Sequence, residues 1–277
     1  MKNVKLIYLS PGGTTRRVAK EIRKHLESHN FKVFEFDLKG NSFSDLQDLD
    51  YTQFKDADLI GIGSPIYKWG ILKPVKLFLK YLSHNSDEDK NPQSAFTFVT
   101  YGKVSSGTGL YKLAKELNKN EFDILAGLKI TAPHFFESNN DWISEQKEQI
   151  IKEYVVTILS RLKSPIAWKD MKKKLKYQPL WIRLSQPFVN SRLGDIIMPQ
   201  IEINKEKCKL CKTCISVCPT DAISFNGKPK IEGNCINCYN CVLNCPYDAF
   251  EADMQKMKNF VKNMRSKITE SPEDQIF

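Results

Sequence analysis

All eight cysteines of this 277-residue chain lie between Cys208 and Cys245. They read Cys208, Cys211, Cys214, Cys218-Pro219 and then Cys235, Cys238, Cys241, Cys245-Pro246. One spacing, C-x2-C-x2-C-x3-C-P, is therefore written twice. Three thiolates spaced this way curl around one cuboidal iron–sulfur cluster, and the fourth leaves on a short helix to reach the other cluster. By that pattern Cys208, Cys211, Cys214 and Cys245 form one ligand set, and Cys235, Cys238, Cys241 and Cys218 the other. A structural zinc site separates two C-x2-C knuckles by a longer loop and has no use for four cysteines packed this tightly twice. A disulfide framework needs an oxidising compartment, and the N-terminus MKNVKLIYLS has no export-signal pattern.

The elements around the thiols repeat as well. Asn226-Gly227 sits between two short apolar alternations, a strong hairpin signal. Thr220-Asp221-Ala222-Ile223 is mirrored by Tyr247-Asp248-Ala249-Phe250, so the internal repeat is 27 residues long. This stretch resembles the bacterial dicluster ferredoxins at all eight cysteines. The resemblance implies two 4Fe-4S clusters, each passing one electron at a time. A core this thin is expected to depend on its clusters for folding.

Upstream, a second chemistry is suggested by loops rather than by ligands. Val4 to Leu9 reads as a buried parallel strand, and Val18, Ala19, Ile22 and Leu26 recur at helical spacing. Between them lies Ser10-Pro11-Gly12-Gly13-Thr14-Thr15. Backbone amides, hydroxyls and a helix N-terminus around one point suit a phosphate dianion, although the same residues also serve as ordinary turn and cap residues. The loop lacks the ending of a nucleoside-triphosphate loop, and the chain has no G-x-G-x-x-G dinucleotide fingerprint.

Further strands are expected at Phe31–Phe36, Leu59–Gly63, Ala95–Thr100 and Phe122–Ile130. Helices are expected through Val75–Leu82, Gly109–Leu117 and Trp142–Leu162. The alternation predicts a parallel sheet with ligands at the carboxyl ends of its strands. Ser64-Pro65-Ile66-Tyr67-Lys68-Trp69-Gly70 and Thr100-Tyr101-Gly102 fall at such ends.

This order and these loops resemble the flavodoxin family over residues 1–163. The resemblance implies an α/β doubly wound parallel five-stranded sheet binding flavin mononucleotide (FMN). Ser10, Gly12, Gly13, Thr14 and Thr15 would hold its phosphate. Ser64, Pro65, Ile66, Tyr67, Trp69, Gly70, Thr100, Tyr101 and Gly102 would flank the ring, with Tyr67, Trp69 and Tyr101 as stacking candidates. Gly12 stands where the family carries a hydroxyl residue, with Thr14, Arg16 or Arg17 placed to compensate.

Composition bounds the rest. With 41% hydrophobic and 27% charged residues the chain is globular, and no apolar run is long enough to span a membrane. The formal charge of +10 is local: residues 161–200 hold nine basic and two acidic side chains. The expected organisation is a flavodoxin-like domain at 1–163, a basic linker at 164–200, a small α+β dicluster module at 201–252, and a terminal helix and tail at 253–277. Proline at 165, 179, 187 and 199 breaks the connector, which reads as a solvated linker packing its apolar residues across the domains. A basic docking patch for an acidic redox partner and peripheral membrane contact are its other readings.

His25, His29, His84 and His134 have no metal-ligand or triad spacing; His134 follows the fifth strand near the expected ring. The whole chain resembles the flavodoxin–ferredoxin fusion proteins of anaerobic prokaryotes. This implies a cytoplasmic electron-transfer protein that relays electrons between FMN and two clusters to a redox partner. A flavin-dependent iron–sulfur oxidoreductase acting on a small molecule is the alternative. No catalytic residue is assigned and no nucleic-acid binding is expected.

Overall fold

The computed structural model describes residues 1–54, 56–83, 93–137, 142–188, 198–268 and 270–277. His84 and connector residues 189–197 lie outside the described residues. The first domain alternates β1 (Lys2–Tyr8), α1 (Thr14–Glu27), β2 (Phe31–Asp37), α2 (Phe43–Asp48), β3 (Leu59–Tyr67), β4 (Gly70–Ile71), α3 (Lys73–Ser83), β5 (Ser94–Tyr101), α4 (Gly109–Lys119), β6 (Asp123–Thr131) and α5 (Glu145–Lys163). The five long strands are parallel in spatial order β2-β1-β3-β5-β6. That is the 2-1-3-4-5 order of flavodoxin-like doubly wound sheets. The expected fold class is therefore present.

Period-two alternation explains the layers. In β1, Val4, Leu6 and Tyr8 face one core with α1 and α5, whereas Ile7 faces the opposite core with α3 and α4. α1 buries Val18, Ala19, Ile22 and Leu26 on one stripe. Its three larger side chains each contribute roughly 1.5–3 kcal/mol of burial. In β3 the α1 side is completed from the next strand. A Cβ at Gly63 would lie 2.2 Å from the Phe98 ring, so the glycine makes room for that phenyl group.

Three features depart from the expected layout. The sheet has seven strands rather than five, because two two-residue strands join it antiparallel: β4 on β3, and β11 (Gln275–Ile276) on β6. Neither is long enough to carry a periodic signal. The last helix of the domain begins at Glu145, capped by Ser144 Oγ accepting from Lys147 N–H, and Trp142 is buried ahead of it. The start of the connector is a packed helix, α6 (Trp168–Leu175), not solvated chain. Met171 and Leu175 stand at i,i+4 and enter the α4 core opposite the lysines at 172–174. α7 (Leu180–Phe188) follows.

The cysteine-rich stretch contains β7 (Glu202–Ile203), α8 (Thr213–Val217), β8 (Ile223–Asn226), β9 (Lys228–Ile231), α9 (Asn240–Leu243) and β10 (Phe250–Glu251). β8 and β9 form the expected hairpin at Asn226-Gly227, and β7 pairs with β10. α10 (Met254–Lys267) buries Met257 and Val261, as its spacing predicts. Beyond it, residues 270–277 return to the first domain, ending with Phe277 buried in the α3–α4 core.

Candidate functional site

The two cysteine motifs adopt one backbone conformation twice. Left-handed residues occur at Leu210, Lys212 and Asp221, and again 27 positions later at Asn237, Tyr239 and Asp248. None is glycine, and a left-handed L-residue costs roughly 1–2 kcal/mol. These turns direct the chain around the sulfurs. The Ala222 amide donates to Cys218 Sγ at 3.2 Å, and its counterpart Ala249 donates to Cys245 Sγ at 3.2 Å. The Asn237 amide donates to Cys235 Sγ at 3.4 Å.

All eight thiols are free of disulfides. Cys218 lies close enough to Cys235, Cys238 and Cys241 to disfavour a negative charge on each of them. Cys208 and Cys211 act in the same way on Cys214. Burial pushes the Cys238 and Cys241 thiols up to about 12. Cys211 is exposed, and a hydrogen bond from Thr213 lowers its pKa. Among the described residues no three His, Cys, Asp or Glu side chains converge on a point that would suit a single ion. Cys218, Cys235, Cys238 and Cys241 line one small apolar cavity with Ile223, Ile231 and Ile236.

A larger cavity, about 120 Å³, opens at the carboxyl ends of β1, β3, β5 and β6. Of the residues expected there, Gly12, Thr14, Pro65, Ile66, Tyr67, Trp69, Thr100, Tyr101 and Gly102 line it. Ser10, Gly13, Thr15, Ser64 and Gly70 do not. They hold the loops instead. Ser10 Oγ accepts from the Arg16 amide at 2.9 Å, and Gly13 caps α1 in the left-handed conformation at φ 82°. The Thr15 and Thr100 hydroxyls bond at 2.9 Å in full burial, tying α1 to the end of β5. Ser64 Oγ accepts from the Leu72 amide, and Gly70 pairs with Tyr67 across the β3–β4 turn.

α1 has no acidic residue in its first turn, and its helical hydrogen bonds begin with Arg17 N–H to Gly13 O. The Thr14 and Thr15 amides thus precede the first of these bonds and point out of the helix end. Arg16 is engaged by Asp37, which raises its pKa. Across the cavity, Lys68 and Trp69 form the two-residue β3–β4 turn with φ of 50° and 58°. A primed turn requires positive φ at both positions and glycine is preferred there. Here two large side chains accept that conformation, and Trp69 overhangs the cavity.

Tyr101 lines the cavity, while its hydroxyl donates to the Glu273 carbonyl. Burial raises the pKa of both Tyr67 and Tyr101, so neither phenol ionises near neutrality. His134 lines the wall too; burial lowers its pKa to about 4, keeping it neutral. Its Nδ1 is buried without a partner among the described residues.

The sequence reading missed a second wall of the cavity. Val104, Ser105, Ala132, Pro133, Phe135, Met198, Met257, Phe260 and Val261 complete it. Met257 and Val261 stand at i,i+4 on α10 and read as packing, but which surface they pack against depends on how that helix docks. Trp69 meets Phe260 edge-on at 6.4 Å. Phe135 stacks on Tyr239 at 5.4 Å with the rings 9° from parallel, and Tyr239 stands between Cys238 and Cys241. Its hydroxyl donates to the Pro199 carbonyl at 2.8 Å. The second cysteine motif also reaches the first loop, since Asn240 Nδ2 donates to the Pro11 carbonyl at 2.9 Å.

Solved structures resemble the first domain at low identity. An archaeal flavodoxin is 20% identical, with 58% of this chain and 99% of that chain covered at a TM-score of 0.45. Oxidised flavodoxin 1 from Bacillus cereus is 12% identical, with 57% and 98% covered at a TM-score of 0.46. Rubredoxin oxygen:oxidoreductase from Desulfovibrio gigas is 20% identical, with 59% and 37% covered at a TM-score of 0.45. No curated protein matches the chain. Residues 201–224, which hold Cys208, Cys211, Cys214 and Cys218, match the family model of the 4Fe-4S binding domain.

Proposed function

We propose that this chain is an electron-transfer protein that holds FMN in the large cavity and two 4Fe-4S clusters in the cysteine motifs. The observation that carries the reading is the contact of Phe135, a cavity wall residue, with Tyr239, a residue of the second motif. It puts the two candidate cofactor sites within one ring stack of each other.

The residues fit both groups. Cys218 with Cys235, Cys238 and Cys241 would hold one cluster; Cys245 with Cys208, Cys211 and Cys214 would hold the other. The equivalent amide donations to Cys218 and Cys245 support equivalent roles. Thiols that burial holds protonated need bound metal to ionise them, which buried iron supplies. In the large cavity, Gly12, Thr14 and the N-terminus of α1 suit a phosphate, and the apolar and aromatic walls suit a flat ring.

When bound, a flavin exchanges one or two electrons and each cluster one. The chain's own part is positioning. Thr15 and Thr100 fix the phosphate loop against β5, Trp69 and Phe260 restrict water above the cavity, and neutral His134 adds no charge to it. The Tyr67 and Tyr101 phenols keep their protons and His134 stays neutral near pH 7.

The test is anaerobic purification with iron, sulfide and flavin quantification and a redox titration. About eight irons and one FMN per chain support the reading. Zinc in place of iron, or no flavin after reconstitution, overturns it. Reoxidation of the pre-reduced protein by small acceptors as fast as by protein carriers would favour the enzyme alternative.

A further inference from the structure

The two thiol sets are not equivalent in their surroundings, and this inequality rests on the proposed function above for its meaning. Around the second motif everything points to the cavity. Tyr239 is fully buried on Phe135, Asn240 bonds the Pro11 carbonyl, and Ile236 packs against the α3–α4 core. Tyr67, a wall residue of the large cavity, lies with its ring 6.1 Å from the Phe135 ring that stacks on Tyr239.

The first motif buries Cys214 in its own small core but opens to solvent at Cys211. Lys209, Leu210, Cys211 and Lys212 are consecutive exposed residues, with Leu210 51% accessible. Neither lysine has an ion-pair partner among the described residues. All six basic residues of 201–252 lie in its loops and hairpin at 205–230, four of them at 205, 207, 209 and 212 beside this motif. Of those four, Lys207 is paired with Glu251.

We propose that Cys218, Cys235, Cys238 and Cys241 form the inner set, next to the cavity. Cys208, Cys211, Cys214 and Cys245 form the outer set. The face made by Lys209, Leu210 and Lys212 docks an acidic protein that carries a one-electron centre. At that face one electron crosses between the outer set's cluster and the partner; one is oxidised, the other reduced, and no bond or proton moves. The occupant follows from charge and from exposure together. Lys209 and Lys212, without an ion-pair partner among the described residues, lie on either side of exposed Leu210 and Cys211 in the chain, so a negative surface gains attraction and orientation there. The lysines at 172–174 on α6 sit on another element, packed on the α4 core, and are no part of this face.

Two experiments on the full-length, iron-loaded protein decide the matter, with iron and flavin contents measured first. Limited ferricyanide oxidation withdraws electrons from an accessible cluster until an iron dissociates. The freed thiolate then displaces iodide from iodoacetamide, and mass spectrometry locates the label. Label appearing first on Cys208 or Cys211 is expected; label first on Cys235, Cys238 or Cys241 overturns the order of the sets.

The second experiment measures electron exchange with an acidic dicluster ferredoxin by stopped flow at low and high salt. The wild-type rate should fall with salt. Lys209→Glu with Lys212→Glu should lower the low-salt rate by about tenfold or more and abolish most of its salt dependence. Lys209→Glu alone, which leaves the left-handed turn at position 212 untouched, should give part of that loss at wild-type iron content. Unchanged rates in both variants overturn the docking face, as does a larger loss from reversing the lysines at 172–174. A wild-type chain holding iron but no flavin defeats the FMN reading while leaving both experiments interpretable. A chain holding no iron defeats the functional reading and this proposal with it.

Discussion

The tail that follows α10 makes a buried ion pair whose removal has a calculable cost. Lys129, on β6, is 1% exposed and Glu270 is 6% exposed, with their charged atoms 3.0 Å apart. The Glu270 carboxylate also accepts from the Ser105 hydroxyl at 2.9 Å and from the Ser106 amide and hydroxyl at 2.7 Å each, as well as from Gln178. The Lys129 ammonium stands 4.7 Å from the centre of the Tyr177 ring. Glu270→Gln preserves shape but leaves a buried ammonium without its countercharge. Breaking a buried pair from one side costs about 3–5 kcal/mol. At roughly 2–4 °C per kcal/mol for a domain of this size, the unfolding midpoint should fall by about 6–20 °C.

Lys129→Met alone should also destabilise, because it strands the carboxylate. Combining it with Glu270→Gln removes both charges, so the double variant should recover much of the loss. The assay is denaturation of all four proteins, with amide exchange of β6 as the local readout, since a chain of this size need not unfold in one step. A midpoint for Glu270→Gln within 1 °C of wild type would refute the reasoning. So would a double variant whose loss is the plain sum of the singles.

Other outcomes follow from the same contacts. Electron paramagnetic resonance of reduced cysteine variants should sort Cys218→Ser with Cys238→Ser and Cys245→Ser with Cys214→Ser; a match of Cys218→Ser with Cys214→Ser would refute the crossed ligand sets. Tyr239→Ala should cost about 3–5 kcal/mol through lost packing, and Tyr239→Phe only about 1 kcal/mol through the lost bond to Pro199. Equal losses in calorimetry would contradict the role given to the Phe135 stack. For His134 the folded pKa of about 4 lies below the ordinary value of 6.5, so the unfolded chain binds the proton more readily between them. Stability should therefore fall as pH drops from about 6.5 to 4, and His134→Phe should flatten that slope. A slope unchanged by the substitution, measured by urea titration at several pH values, rules the assignment out. Glu137, held down by Arg265, acts at lower pH, where its own protonation loses that pair.

How much of this was readable beforehand depended on whether a feature is local. Cysteine spacing is a local property: three left-handed turn positions recur at the 27-residue interval because each motif must bend its own few residues around its sulfurs. The parallel sheet was equally legible, since Ile7, Ile60 and Ile62 against Val4, Leu6 and Leu59 write the two-faced alternation directly into the chain. The hairpin at Asn226-Gly227 followed from turn chemistry alone. By contrast, the sequence did not show that the Ser10, Thr15 and Ser64 hydroxyls also bond other parts of the protein. A hydroxyl's partner is chosen by whichever donor or acceptor the fold brings within about 3 Å.

Composition and spacing carried the repeated cysteine motif, the strand–helix order and the place of the cavity at the strand ends. Each of these is dictated within a few tens of residues by periodicity, spacing and turn geometry. Only the folded chain brought Met257, Phe260 and Val261 to a cavity formed more than 100 residues earlier, joined Glu270 to Lys129, and set Tyr239 and Asn240 of the second cysteine motif against Phe135 and Pro11. Long-range pairings of this kind depend on how apolar faces match once they are formed. α10 offers the same Met257–Val261 stripe to any partner, and it is the stacked Phe135 and Tyr239 that select the surface it covers.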